Sequence, residues 1–286
     1  MKKIFNTIIA LAIFTATLGF GLISTACRLD DPYLIRITAS LNPHSHILRH
    51  IEADLYQQGF RLDIRESGWE LQNDFVRDGE VLANFFQHRP FLENWNTNVN
   101  TGAAVVPVAG IHFEPLGIFP GTRGGATIAA AGAALQAGDR IIFPNDATNG
   151  TRALNLLEYH GLISWIGGNV PRNNLVTNWS PVTAGVLLYP VLAGNLPDHR
   201  PEAGLAVING NIALQANLIE QRIVYESAEI GARYTNFLAV KDGNESDPRI
   251  IALINALQSE GVKAYIETRW QGAIVPYFLN AEGARI

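Results

Sequence analysis

RIIFPNDATNGTRALNLLEYHGLI, residues 140–163, is the segment from which the fold class follows. RIIF (Arg140–Phe143) is a short apolar run of the kind buried inside a sheet. Pro144-Asn145-Asp146 is turn chemistry, because proline fixes one backbone angle and Asn and Asp bond back to the chain. Thr148–Tyr159 then carries a helical pattern, with Thr148 or Asn149 as the expected cap. Leu154, Leu157 and, beyond the end, Ile163 lie on its inward path. Strand, tight turn, helix is the building step of an α/β protein.

The same step recurs on either side. Upstream, Leu34–Ala39 (LIRITA) alternates like a strand, and His46–Gln58 is an amphipathic helix with Ile47, Leu48, Ile51 and Leu55 on one face, stopped by Gly59. Phe60–Ile64, Val81–Phe86 and Ala104–Ile111 are further strand candidates. Ala126–Ala137 is an Ala-rich surface helix. Downstream, Leu205–Ile208 (LAVI) is a buried strand followed by a helix holding Ala213, Leu214 and Leu218. Asn236–Val240 is another strand, and Asp247–Ser259 is a helix with Ile250, Ile251, Ile254 and Leu257 inward. Alternation of this kind implies α/β layers with largely parallel sheets. Ligands of such sheets bind beyond the carboxyl ends of strands, which directs attention to Gln87-His88, Asn145-Asp146, Asn209 and the neighbourhood of Asn236.

The amino end reads differently. Lys2 and Lys3 precede an apolar run, Ile4–Ile23, that is long enough to span a bilayer. Small residues Ser24-Thr25-Ala26 then lead to Cys27 and a polar Arg28-Leu29-Asp30-Asp31, the layout of a secretory signal. Residues 1–27 are therefore expected to be a signal peptide ending in a lipidation cysteine, with the acyl chains holding the protein to a membrane. The rival reading is an ordinary signal followed by a chance cysteine. Cys27 is the only cysteine of the 286 residues, so no disulfide forms within the chain and an exported fold must rest on its core. The formal net charge is −5 and no Lys/Arg run occurs, which argues against nucleic acid as a partner.

Several constellations carry chemistry. In Pro144–Arg152 the helix start offers backbone N–H groups to an anion, and Arg152 one turn on can grip a carboxylate with its fork. In Ala83–Leu92 (ANFFQHRPFL) a strand end delivers Phe86 and Phe91 beside His88, suited to a small amphipathic ligand. Asn209 and Asn236 each offer an amide, donor and acceptor together, as a zwitterion needs. Each of these alone also fits an ordinary cap, core or turn residue. His44, His46 and His50 raise the question of a metal, since His46 and His50 are spaced i,i+4, but the sequence names no further ligands for zinc there. No Gly-x-Ser-x-Gly elbow, phosphate-loop lysine or His-Glu-x-x-His occurs, so no catalytic residue, cofactor or enzymatic activity is expected.

Together these segments resemble the methionine-binding lipoproteins (NlpA-type lipoproteins), the substrate-binding components of methionine ABC importers. FPNDATNGTRALNLLEYHGLI (Phe143–Ile163), NFFQHRPFL (Asn84–Leu92), LAVIN (Leu205–Asn209) and YTNFLAV (Tyr234–Val240) carry the likeness, in family order. The resemblance implies two α/β lobes joined by a hinge, of the periplasmic-binding-protein type II kind: residues 32–112 with 234–286, and residues 113–233. It further implies that Arg152 holds the ligand carboxylate and that Asn209 and Asn236 bind the amino-acid backbone groups. Asn149 helps from the helix entrance, and Phe86, His88 and Phe91 line the side-chain pocket. The implied function is capture of methionine or a related amino acid for an importer permease and ATPase, by a protein lipid-anchored at the cell membrane and facing the periplasm or exterior. Another amino acid, a Met-containing dipeptide, or zinc through His46 and His50 are the alternatives. The chain departs from the family pattern at Trp69 and Phe91, where Tyr is usual, and at Glu114, which also replaces a Tyr. The loop from Trp179 to His199 is longer than usual. These changes place Trp69 and Glu114 among the expected ligand contacts, because specificity can turn on one unpaired polar group.

Overall fold

The alternation in LIRITA becomes strand β1 (Leu34–Ala39), in which Ile35, Ile37 and Ala39 are buried. The computed structural model describes residues 31–99 and 104–286; the apolar run, the signal and Cys27 lie outside the described residues. After β1 come β2 (Arg61–Glu66), β3 (Ala83–His88) and β4 (Val105–Phe113). The next seven strands are β5 (Gly117–Pro120), β6 (Arg140–Pro144), β7 (Ile163–Trp165), β8 (Trp179–Pro181), β9 (Leu187–Val191), β10 (Leu205–Ile208) and β11 (Val224–Tyr225). The last two are β12 (Thr235–Lys241) and β13 (Val275–Leu279).

These strands form a six-stranded sheet, in the order β13-β4-β12-β3-β1-β2, and a five-stranded sheet, β11-β5-β10-β6-β9. β7 and β8 make a separate two-stranded ribbon. Helices pack on both sheets, as α/β layering requires. The expectation of largely parallel sheets is corrected, however. β1 with β3, β6 with β10 and β6 with β9 are parallel, but β12 runs antiparallel to both β3 and β4, β13 antiparallel to β4, and β5 antiparallel to β10 and β11. The cause is chain routing: β4 leaves the first sheet toward the second, and β12 returns beside it in the opposite sense.

Each sheet has its own core. Ile35, Ile37, Ile47, Leu48 and Leu55 close one face of the first, with Ile250, Leu253 and Leu257 from the helix Pro248–Leu257. Ile141, Phe143, Leu154 and Leu157 fill the second. Each such leucine contributes about 1.5–3 kcal/mol by leaving water.

Local details depart from the sequence reading for physical reasons. The helix expected over His46–Gln58 is two pieces, His46–His50 and Glu52–Gln57, separated by non-helical backbone at Ile51. Gly59, at φ +89°, ends the second where a side chain would be strained. In the helix Pro248–Leu257, Ile251 points outward at 47% exposure, because the buried stripe runs through Ile250, Leu253 and Leu257. Leu218 lies beyond the helix Gly210–Gln215 rather than within it. The presumed loop Trp179–His199 contains β8, β9 and the short helix Leu196–His199; β9 is the edge strand of the second sheet.

Candidate ligand-binding site

The cavity forms where the ends of β3, β4 and β10 and the start of β12 meet. β12 is antiparallel to both neighbours, so its amino end lies beside their carboxyl ends, and Asn236 pairs in register with His88 on one side and His112 on the other. Asn236 therefore reaches the site from the beginning of its strand, not from the carboxyl end as the general rule suggested. Across the cavity stands the helix Ala147–Tyr159, which brings Asn149 and Arg152 on one face.

Every residue singled out from the sequence for ligand contact lines this one cavity, of about 350 Å³ of empty space. Trp69, Phe86 and Phe91 form an aromatic wall, with Phe91 edge-on to both other rings. His88, Glu114, Asn149, Arg152, Asn209 and Asn236 supply the polar side, joined by Gln87 and Asn211. Trp69, Phe91 and Asn211 also border a wider cleft of about 1250 Å³ beside it.

The hydrogen bonds fix the state of several groups. His88 caps the helix Arg89–Asn98, its Nδ1 accepting the Phe91 N–H at 3.2 Å. The ring proton therefore sits on Nε2 and is donated to Asn149 Oδ1 at 3.0 Å. Burial, and next the positive Arg152, hold the His88 pKa down to about 3, so the ring is neutral. Asn149 Oδ1 also accepts from Asn209 Nδ2 at 3.0 Å. That leaves Asn209 Oδ1 buried without a partner.

The helix start behaves differently from expectation. Asp146, not Thr148 or Asn149, is the cap, and its carboxylate accepts the N–H groups of Thr148 (3.2 Å) and Asn149 (2.8 Å). Those donors are occupied by the protein's own carboxylate, so this terminus is not an open anion site. Arg152 is likewise engaged. Its guanidinium forks onto Glu226, with Nε 2.8 Å from Oε1, while Nη2 also donates to the Glu114 carbonyl at 2.9 Å. It lies over the Tyr234 ring at 4.0 Å. Nη1 makes no hydrogen bond among the described residues.

Glu114 is buried at 7% exposure, and desolvation raises its pKa. Its Oε2 accepts the Asn211 N–H at 3.1 Å, and its Oε1 faces His112 Nε2 at 3.0 Å and His44 Nε2 at 3.5 Å. Both rings are fully buried, and burial lowers each pKa to about 3. Their Nδ1 atoms have no partner, so each neutral ring carries its proton on Nε2, toward Glu114. His44 Nε2 is also 3.3 Å from Asn236 Oδ1.

Glu226, His44, His112 and Asn211 were not among the residues read from the sequence as site residues. His112-x-Glu114 was a legible signal, since alternate residues along a strand share a face. In the sequence, His44 reads with His46 and His50. Among the described residues, however, the group of three potential metal ligands is His44, His112 and Glu114, and His50 instead stacks on Tyr265 at 4.1 Å.

The NlpA lipoprotein family model matches residues 35–278. Membrane lipoprotein TpN32 of Treponema pallidum is 32% identical over 251 residues, covering 87% of this chain and 90% of that protein. The methionine-binding lipoprotein MetQ of Bacillus subtilis is 30% identical, over 85% of this chain and 87% of its own length. The solved structure of a nutrient-binding protein from Burkholderia cenocepacia bound to methionine superposes with a TM-score of 0.76 at 26% identity, over 85% of this chain and 99% of that one. On the extent of the family match and the identity to these relatives, the chain belongs to the NlpA lipoprotein family.

Proposed function

We propose that this chain is the substrate-binding lipoprotein of an ABC importer, and that it captures methionine or a closely related amino acid in the cavity between its two sheets. The observation that carries the proposal is the pairing of an aromatic wall with a buried acceptor that lacks a partner. Trp69, Phe86 and Phe91 suit an apolar or thioether side chain, since sulfur packs well against aromatic rings. Opposite them, Asn209 Oδ1 is a buried acceptor with nothing to accept, a cost of about 1–3 kcal/mol that a ligand N–H relieves. The Glu114 carboxylate is the charge complement of an ammonium group, and Nη1 of Arg152, which makes no hydrogen bond among the described residues, is a donor for a carboxylate. In this reading ligand recognition falls to Trp69, Phe86, His88, Phe91, Glu114, Asn149, Arg152, Asn209 and Asn236. No step of catalysis is required; binding and release follow movement of residues 113–233 against residues 32–112 and 234–286.

The name of the Bacillus subtilis relative and the methionine in the Burkholderia cenocepacia protein support this ligand class. The membrane lipoprotein from Treponema pallidum supports tethering, which we assign to acylation of Cys27, with delivery to a permease and its ATPase. The test is to purify the chain from Arg28 onward under native conditions, denature it and identify released small molecules by mass spectrometry. Methionine, or another amino acid with an apolar side chain, supports the proposal. A released ligand without an amino-acid backbone would overturn it.

A further inference from the structure

We propose that His44, His112 and Glu114 form a site for one divalent transition-metal ion of the zinc class, sharing the Glu114 carboxylate with the amino-acid pocket. The three residues arrive from separate directions. His112 lies on β4 and Glu114 just past its end, two residues on and facing the same way. His44 comes from the turn Leu41–Ser45. All three are buried, and one ligand atom of each lies within 4.8 Å of the other two.

The spacing of these hydrogen-bonded groups is also the spacing of ligands around an ion. Four ligands at about 2.0–2.1 Å from a tetrahedral ion stand about 3.4 Å from one another. The two Nε2 atoms are 3.0 and 3.5 Å from the same Glu114 oxygen. Asn236 Oδ1 lies 3.3 Å from His44 Nε2, a neutral oxygen beside one of the three ligands. Two imidazoles and a carboxylate are the donor set of open zinc sites, whereas magnesium and calcium favour all-oxygen shells. Glu114 Oε2 is held by the Asn211 N–H, so the carboxylate binds through Oε1 alone. The nearest buried cation, Arg152, is already neutralised by Glu226 and does not repel a second positive charge outright.

Tautomers fit as well. Ligation through Nε2 requires each ring proton to move to Nδ1, and no protein donor at either Nδ1 opposes that change. The absence of an acceptor there also sets the strength. Outer partners of ligating histidines are each worth about 10- to 100-fold in affinity, so this site is expected to bind well short of structural zinc sites.

Sharing Glu114 has a consequence that rests on the function proposed above. An ion on Oε1 removes the acceptor for the ligand ammonium, so metal and amino acid weaken each other's binding by the same factor. The metal site itself does not depend on that reading.

The experiment uses the chain from Arg28 onward, stripped with a chelator and titrated with zinc chloride by calorimetry, with metal content checked by mass spectrometry. One ion per chain is expected, with a loss of about tenfold or more in H44Q and in H112Q. An H46Q/H50Q double variant should keep full zinc affinity. No stoichiometric zinc, or zinc that survives both H44Q and H112Q in folded protein, overturns the site. If either variant fails to fold, the cobalt(II) form of the native chain decides instead. Intense visible bands of a four-coordinate ion support the site, and the weak bands of a six-coordinate ion overturn it. Saturating L-methionine is then expected to weaken zinc by about fivefold or more; unchanged zinc affinity in methionine-loaded protein rejects the sharing of Glu114 and leaves the metal site standing.

Discussion

Glu114 concentrates the electrostatics of the cavity. It is a buried carboxylate with one backbone donor and two imidazole N–H groups aimed at it, beside an arginine whose charge is already matched by Glu226. A ligand ammonium placed there gains a charge-assisted contact worth about 1.5–3 kcal/mol. Glu114→Gln is therefore expected to weaken amino-acid binding by about 10- to 100-fold in calorimetry, with little loss of fold. An unchanged affinity would remove Glu114 from the list of ligand contacts. The three buried histidines make a second prediction. His44, His88 and His112 have folded pKa values near 3 against an unfolded value of 6.5, so between those limits the unfolded chain binds more protons. Their stabilisation is complete above pH 6.5 and is lost as pH falls toward 3, at up to about 1.4 kcal/mol per pH unit for each ring. Glu114, whose pKa is raised, acts in the opposite sense above its unfolded value of 4.5. Denaturant midpoints measured at pH 7 and pH 5 should show lower stability at pH 5; equal midpoints contradict neutral, buried rings.

At the scale of elements, the strand-turn-helix over residues 140–159 links stability to the site. Asp146 caps the helix and also accepts from the Asn149 side chain, which in turn receives His88 and Asn209. Asp146→Ala should cost about 1 kcal/mol of stability through the cap. It should also loosen ligand binding, because Asn149 loses the group that orients it; a stability loss with unaltered affinity would confine Asp146 to the helix. This element was legible in the sequence because its pattern is local: RIIF, a Pro-Asn-Asp turn and a leucine stripe need no distant partner to be read. The cap itself was misassigned by two or three residues, since Asp146 reads equally well as part of the turn. Strand senses were less legible. Whether β12 runs with or against β3 depends on how the chain returns between the sheets, and nothing within YTNFLAV encodes that. The fork between Arg152 and Glu226 was not legible for the same reason. Its partners are 74 residues apart, and VYES carries no sign of a buried carboxylate.

Over the whole molecule, the polar groups of the site come from both sheets. His88 at the end of β3 donates to Asn149 on the helix that follows β6, so one hydrogen bond joins the first sheet to the helix packed on the second. The helix Arg89–Asn98 also packs on Ala147–Tyr159, and the turn Leu41–Ser45 on Gly210–Gln215. A ligand seated among these groups touches both halves and should favour the arrangement in which they meet, stabilising the fold by about 2.7 kcal/mol at a hundredfold excess over its dissociation constant. The recurrence of α/β steps along the chain makes the layered architecture readable, and the resemblance of four separated segments points to Phe86, His88, Phe91, Asn149, Arg152, Asn209 and Asn236, all of which line the cavity. What neither could supply was occupancy of the polar groups: which amide oxygen is left bare, which arginine is already paired, and which histidines stand behind Glu114.

The central claim is that this cavity binds an amino acid with an apolar or thioether side chain. The most direct measurement is calorimetric titration of L-methionine into ligand-stripped protein beginning at Arg28. The account predicts one methionine per chain, with binding sharply weakened in Glu114→Gln. Absence of binding heat for methionine and for every other apolar amino acid, in protein shown to be folded, would contradict it.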